Sequence, residues 1–157
     1  MATVLVCTDG SDLAIAAALS GLSLLRSSGR VVVVTVTDKV DPLEGAGGFG
    51  GPNWSPEEVE EQHRDATVQA EQALSDTLGA LTAAGLADAR TERRLVDGQP
   101  GPALCELADE LRADAIVIGS RGRGGIKRAF LGSVSDHVAR HASCPVLISR
   151  GVNGALG

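Results

Sequence analysis

Short apolar runs, rich in β-branched residues, alternate with helical patterns along this chain. The runs occupy residues 3–7, 31–36, 115–118 and 145–149. Such runs are typical of strands that are buried on both faces of a parallel sheet. A further run at residues 91–96 carries charged side chains, which is typical of a strand at the edge of a sheet. The pattern therefore predicts a sheet with an apolar interior and a charged edge.

The segments between these runs have helical periodicity and recognisable end signals. Ser55 is a candidate N-cap that is followed by a first-turn proline and by Glu58 at the capping-box position. Ser11 is a second candidate N-cap. Helices are expected from Ser11 to Gly29, from Ser55 to about Ala84, over residues 102–111 and over residues 133–141.

Strands and helices thus alternate along the chain, and this order predicts an α/β fold. Right-handed crossovers favour a five-stranded parallel, doubly wound sheet of order 3-2-1-4-5 with helices on both faces. Ligands of such sheets bind at the carboxyl ends of the strands, where the winding reverses between strands 1 and 4. One domain is expected over residues 1–150, with residues 151–157 as a flexible tail.

Composition narrows the choice of partners. The 157 residues are 43% hydrophobic but only 2% aromatic, so platforms for stacking nucleobases are not expected. A net charge of −6 argues against binding to a phosphate backbone. The three cysteines lack CxxC spacing, and no apolar run approaches the roughly 18 residues of a membrane helix. We therefore expect a cytoplasmic protein that binds neither nucleic acid nor membranes.

The segment from residue 119 to residue 133 combines glycine with positive charge. It holds five glycines, four basic residues and no acid, between a predicted strand and a predicted helix. Glycines let backbone N–H groups approach an anion, and the helix that begins near Ser133 directs its positive end to the same place. Phosphate binding is favoured over a basic loop without a ligand.

Asp9 is the second candidate for ligand binding. It ends the first strand, which the predicted sheet order places beside the strand that leads to Gly119. Its carboxylate can accept a hydrogen bond from a ribose hydroxyl. Alternatively, residues 8–11 only cap the first helix, and for Ser11 this capping role is favoured. For Asp9 the local sequence supports both interpretations equally.

The spacing Gly119-x2-Gly122-x9-Gly132-Ser133 resembles the nucleotide-binding signature of the universal stress protein family. The segments DAIVIGSRG (114–122) and GSVS (132–135) are especially similar to the family pattern. The similarity spans nearly the whole chain, from the strand that ends at Asp9 to the closing CPVLI (144–148). Since members without the full spacing generally do not bind ATP, the resemblance implies the ATP-binding branch.

The resemblance also implies a ligand, ATP with or without Mg²⁺, and a role for individual residues. Asp9 matches the aspartate on the ribose side, and Val36 matches the valine whose backbone contacts adenine. The residues expected at the phosphates are Gly119, Ser120, Arg121, Gly122, Arg123, Gly132, Ser133 and Val134. Thr35 departs from the pattern, because many members carry histidine there, and the segment 45–54 is unusually rich in glycine.

The function that follows is that of a homodimeric, ATP-binding sensor or regulator in stress adaptation. The dimer is expected through the last strand, from Pro145 to Ser149, because its outer edge would be unpaired in the predicted sheet order. The alternative is a slow ATP hydrolase or a nucleotidyl-transferring enzyme on the same fold. Because no acid besides Asp9 accompanies the phosphate segment, no catalytic residue is assigned. A dimeric interaction module with a structural nucleotide is a further alternative.

Other motifs carry less weight. Residues 45–50 fit GxGxxG, but no helix follows them, so a dinucleotide site is not expected. His137 and His141 have the spacing of zinc ligands without an evident third ligand, and solvated positions on a helix are favoured. Cys144 lies near His141 but directly precedes Pro145, so its thiol is expected to pack at the start of a strand.

Overall fold

The computed structural model describes residues 1–25, 29–38, 54–121 and 131–150. Within these ranges strands and helices alternate in the order that the hydrophobic pattern predicts. The elements are β1 (Thr3–Cys7), α1 (Asp12–Leu25), β2 (Arg30–Thr37), α2 (Pro56–Ala83), β3 (Thr91–Asp97), α3 (Pro100–Glu110), β4 (Ala115–Gly119), α4 (Ser133–His141) and β5 (Val146–Ser149).

The strands form one parallel sheet of order β3-β2-β1-β4-β5, which confirms the predicted α/β fold. β1 lies at the centre, where Val6 pairs with Val33 on one side and with Val117 on the other. The chain moves outward from β1 through β2 to β3, then returns to the other side of β1 for β4 and β5. The winding therefore reverses between β1 and β4, at the predicted position.

Each face of the sheet covers its own apolar core, because side chains alternate along a strand. Leu5 belongs to a cluster with Leu104 of α3 and Val138 of α4. Val6 belongs to a second cluster, on the other face, with Leu74 of α2. The core is aliphatic, as the low aromatic content requires, and the helices cover both faces of the sheet.

Two helix starts show how local sequence sets the boundaries. Ser55 caps α2 as predicted: its Oγ accepts from Glu58 N at 3.2 Å, and its N–H donates to Glu58 Oε2 at 2.7 Å. The second bond lowers the pKa of the Glu58 carboxyl. α3 begins at Pro100 rather than at residue 102, because Gln99 is its N-cap and Pro100 occupies the first helical turn.

Only the second half of α2 contributes buried residues to the core. Its buried residues are Ala70, Ala73, Leu74, Thr77 and Leu81, all in the second half of the helix. None of residues 56–69 is buried. The helix ends as predicted, with Ala84 as its C-cap and Gly85 at a positive φ of 69°.

Gly21 brings α1 close to the sheet. A Cβ atom at this position would lie 2.4 Å from Val117 Cγ1 and 3.0 Å from Leu147 Cδ2. Real Cβ atoms do not approach other carbons so closely, so only glycine fits without movement of the helix. The contact seats α1 against β4 and β5, and its N-terminus then lies beside the end of β1.

Some predictions fall outside the described residues. These predictions concern residues 45–53 of the glycine-rich segment, Gly122, Arg123 and the tail 151–157. Trp54 itself is described and is 43% exposed. Within the described ranges, no helix combines the length and the apolar character that crossing a membrane requires.

Candidate functional site

The carboxyl ends of β1, β2 and β4 meet at one edge of the sheet. Cys7, the last residue of β1, pairs with Val34 of β2, and the preceding Val6 pairs with Val117 of β4. The residues that follow on each strand therefore lie together at the switch point. Asp9, Val36 and Ser120 all follow these pairs within a few residues, so the sheet register brings the three predicted regions to the same edge.

The backbone of Ser120 connects the two halves of the glycine signature. Its carbonyl oxygen accepts hydrogen bonds from Gly132 N at 2.8 Å and from Ser135 Oγ at 3.1 Å. Its own N–H donates to the carbonyl of Ser149 at 2.8 Å, so the turn is also fixed to β5. The start of α4 is thus held directly beside the end of β4.

Both glycines of this turn lie where space is limited. A Cβ at Gly119 would be 3.3 Å from Arg121 O, and a Cβ at Gly132 would be 3.4 Å from Ser120 O. Gly132 has φ −63° and ψ 157°, a conformation open to any residue. The glycine at this position therefore preserves room beside Ser120 and Arg121 rather than an unusual backbone conformation.

α4 begins at this turn, with Gly132 as its N-cap and no side-chain capping bond. The first helical bond runs from Asp136 N to Gly132 O at 2.9 Å. The N–H groups of Ser133 and Val134 precede that bond and have no partner within the helix. They point out of the N-terminus together with the positive end of the helix dipole, an arrangement that suits an anion.

Asp9 is part of the turn between β1 and α1. Its Oδ1 accepts from Ser11 N at 2.9 Å and from Ser11 Oγ at 2.6 Å. Ser11 Oγ in turn accepts from Ala14 N at 3.2 Å, which confirms Ser11 as the cap of α1. A carboxylate offers about four acceptor positions on two oxygens. The local bonds of Oδ1 are therefore compatible with a ligand on the same side chain.

Val36 presents its backbone towards the end of β1. The Val34 carbonyl accepts from Thr8 N on the β1 side, and the Thr37 carbonyl accepts from Gly98 N on the β3 side. Because backbone groups alternate along a strand, the N–H and C=O of Val36 face the same side as those of Val34. Val36 lies two residues after Val34, the partner of Cys7 at the end of β1, so these backbone groups border the crevice at the switch point.

Sequence reasoning missed the hydroxyl groups around this edge. Thr35 donates to the Thr8 carbonyl at 2.8 Å, and Thr8 Oγ1 lies 2.8 Å from Thr77 Oγ1 of α2. Thr37 donates to the carboxylate of Asp97. The departure from histidine at Thr35 thus places a small hydroxyl in a buried network. No local pattern links Thr8 to a helix residue so distant in sequence.

The two histidines of α4 differ in their surroundings. Their rings stack with centroids 4.1 Å apart, and His141 Nδ1 lies 2.9 Å from the carbonyl of His137. His141 is exposed, as expected. His137 is only half-exposed, which corrects the prediction of a solvated position: it packs against Gly101 of α3, where a Cβ would be 2.7 Å from its Cγ. In the described parts of the chain, no three His, Cys, Asp or Glu side chains cluster as metal ligands.

Cys7 is buried in the core, and the half-buried Cys105 and Cys144 pack against it. Cys144 packs against the apolar cluster on the α3 and α4 side of the sheet, as expected for the start of a strand. Burial raises the pKa of the thiols of Cys7, Cys105 and Cys144. A raised pKa disfavours the thiolate, the form in which a cysteine acts as a nucleophile.

A parallel sheet of order β3-β2-β1-β4-β5, whose switch point holds a glycine-rich turn and a helix N-terminus, defines an α/β protein with a doubly wound, Rossmann-like fold. Comparison of the sequence with known families then gives a specific result. The universal stress protein family matches residues 1–150, and the chain therefore belongs to this family.

Individual relatives agree with this assignment. A universal stress protein from Thermus aquaticus is 34% identical over 149 residues, which cover 94% of this chain and 98% of that protein. The structure of universal stress protein UspA from Lactobacillus plantarum superposes with a TM-score of 0.74 at 22% identity, over 95% of this chain and 97% of the other. A universal stress protein in complex with cAMP superposes with a TM-score of 0.65 at 28% identity, over 96% and 97% of the two chains.

Proposed function

We propose that this protein is a cytoplasmic, ATP-binding regulator of stress adaptation that holds its nucleotide between the ends of β1 and β4. The observation that carries the proposal is the bond from Gly132 N to the carbonyl of Ser120, which joins the two halves of the glycine signature in front of α4. The similar structure solved in complex with cAMP supports an adenine nucleotide as the ligand. ATP is the form that the complete glycine spacing favours.

Each part of the nucleotide has a proposed contact. The backbone of Val36 contacts the adenine, and the carboxylate of Asp9 accepts from the ribose hydroxyls. The phosphates lie along residues 119–122 and 132–134. The N–H groups of Ser133 and Val134 are the donors offered by α4, because those of Ser120 and Gly132 bond to the carbonyls of Ser149 and Ser120. Arg121 and Arg123 neutralise the phosphate charge, because guanidinium groups bind phosphate oxygens with strong, charge-assisted hydrogen bonds.

The proposed role is binding rather than catalysis. Rapid hydrolysis requires a group that orients water and stabilisation of the charge that develops on the phosphate. The acid on α4 nearest to the turn, Asp136, is paired with Arg140 at 3.0 Å. Asp9 is assigned to the ribose. The N-terminal turn of α4 therefore supplies anion-binding backbone groups without a matching general base.

The dimer of the proposal forms through the outer edge of β5. Pro145 O and Ser149 O accept from Ile116 N and Ser120 N of the neighbouring strand, at 2.9 and 2.8 Å. By alternation, the backbone groups of Val146 and Ile148 point away from β4. Among the strands that the structure describes, none pairs with this edge. A second copy related by a two-fold axis would satisfy these groups.

Calorimetric titration of the purified protein with ATP, AMP and cAMP, each with and without Mg²⁺, tests the proposal. Mass spectrometry of the ligand released on denaturation identifies any nucleotide carried through purification. Asp9→Asn retains an oxygen that can accept the bonds from Ser11 but removes the charge, so ATP affinity should fall about tenfold. Asp12→Asn, an exposed neighbour on α1, is the matched control. Absence of micromolar binding to all three nucleotides would overturn the proposal.

A further inference from the structure

Thr8 is held from three directions just before the turn that carries Asp9. Its N–H donates to Val34 O at 3.0 Å, and its carbonyl accepts from Thr35 Oγ1 at 2.8 Å. Its Oγ1 accepts from Gly10 N at 3.1 Å and lies 2.8 Å from Thr77 Oγ1. β2, α2 and the turn itself therefore all bond to this one residue.

The direction of the hydroxyl bonds is fixed by a single acceptor. Thr77 Oγ1 lies 2.8 Å from the carbonyl of Ala73, and a carbonyl can only accept, so the Thr77 hydroxyl donates to it. Its proton is then used, and it must accept the proton of the Thr8 hydroxyl. Thr8 Oγ1 is left as an acceptor for Gly10 N–H. The hydroxyls therefore form one ordered chain from Gly10 to the backbone of α2.

This chain is buried. The exposed fraction is 8% for Thr8, 6% for Thr35 and 0% for Thr77. Water cannot replace a lost partner at such positions, so removal of the Thr77 hydroxyl leaves the O–H of Thr8 without an acceptor. Loss of the Thr77 hydroxyl should therefore disturb Thr8, whereas loss of a hydroxyl from a threonine of the same helix that is not buried should not.

We propose that Thr77 is a positioning residue for the ligand, which acts through Thr8 to fix the turn at residues 8–11 and thereby the carboxylate of Asp9. The inference rests on the proposed function, because it assigns the ribose to Asp9. It adds a residue of α2 to the determinants of ribose binding. Thr77 lies outside the glycine signature and far from it in sequence.

Three variants separate this role from an effect on the helix. Thr77→Val removes the hydroxyl and keeps the shape of the side chain, whereas Thr77→Ser keeps the hydroxyl. Thr67→Val is the matched control, because Thr67 Oγ1 also donates to the carbonyl four residues before it, at 2.9 Å from His63 O, but at a half-exposed position. Thermal unfolding of all three variants measures any general loss of stability.

The first readout needs no ligand. Hydrogen exchange of the Gly10 and Ser11 amides should accelerate about tenfold in Thr77→Val. The turn that holds these amides loses the support of one buried hydrogen bond, and its local protection should fall by the free energy typical of such a bond. Thr77→Ser and Thr67→Val should leave these amides near their wild-type rates. Equal acceleration in Thr77→Val and Thr67→Val, or none in either, would overturn the role of Thr77 in the turn.

The second readout compares ATP with 2′,3′-dideoxy-ATP, which lacks the hydroxyls assigned to Asp9. Thr77→Val should weaken ATP binding about tenfold and dideoxy-ATP binding less than about twofold. Equal losses for the two ligands would overturn the link to ribose. Wild-type protein that binds neither nucleotide would overturn the proposed function instead, and the exchange experiment would still decide whether Thr77 positions the turn.

Discussion

The carbonyl oxygen of Ser120 accepts a hydrogen bond from Gly132 N at 2.8 Å and so joins the end of β4 to the start of α4. The same carbonyl accepts from Ser135 Oγ at 3.1 Å. With both bonds made, the amides at the N-terminus of α4 and the turn after β4 form one fixed surface. Changes at Gly132 should therefore alter ligand affinity before they alter the fold.

Gly132→Val should weaken ATP binding by at least about tenfold, because its methyl groups would occupy the room beside Ser120 and Arg121 and exclude bonds to a charged phosphate. The backbone conformation of Gly132 is open to valine, so the protein should still fold. Titration calorimetry gives the affinity, and circular dichroism reports the fold. Gly132→Ala, whose Cβ meets Ser120 O at 3.4 Å, should have a smaller effect. Equal ATP affinity in wild type and Gly132→Val would remove this turn from the site.

Phosphate release from ATP should be slower than about 1 per second, the lower end of the ordinary enzyme range. The reason is that the start of α4 offers donors for a bound phosphate, while Asp136 is engaged by Arg140 at 3.0 Å. A coupled phosphate assay at saturating ATP and Mg²⁺ measures the rate. Turnover at or above that range would support the alternative, an ATP hydrolase.

Much of the fold and part of the site follow from local sequence. α4 has the predicted bounds, and Ser55 caps α2 through the predicted reciprocal bonds with Glu58, because capping depends on residues three apart. The predicted start of α3 was wrong by two residues, since Pro100 is compatible both with a turn before the helix and with the first turn of the helix. The bond between Thr8 and Thr77 could not be predicted, because it depends on how α2 packs on the sheet.

Ile148→Pro should convert the proposed dimer to a monomer, because it removes an N–H that points away from β4. The bonds between β5 and β4 use residues 145 and 149 and should persist. Sedimentation velocity at micromolar concentration distinguishes the two states. Ile148→Val keeps the N–H and nearly the same side chain and should remain dimeric. A monomeric wild type would contradict the proposed assembly.

Gly21→Ala should lower the free energy of unfolding by about 1–3 kcal/mol, the usual cost of overpacking a core. The added Cβ would lie 2.4 Å from Val117 Cγ1, so α1 or β4 must shift. Urea unfolding followed by circular dichroism measures the change. Unaltered stability would show that α1 moves away from the sheet at little cost.

Gly79→Ala should have the opposite effect and raise the free energy of unfolding by about 0.5–1 kcal/mol. Gly79 is exposed on α2, and a Cβ there would meet no atom within 4 Å. Alanine then restricts the unfolded chain without a steric penalty in the folded protein. The same urea experiment applies, and a loss of stability would be the contrary result.

The first half of α2 should tolerate substitution more readily than the buried positions of its second half. None of residues 56–69 is buried, and at about 1.5 Å per residue they make roughly 21 Å of helix. A change on this surface creates no cavity and breaks no bond of the Thr8 network. A fluorescent label attached at the exposed Glu60 should therefore leave the switch point untouched.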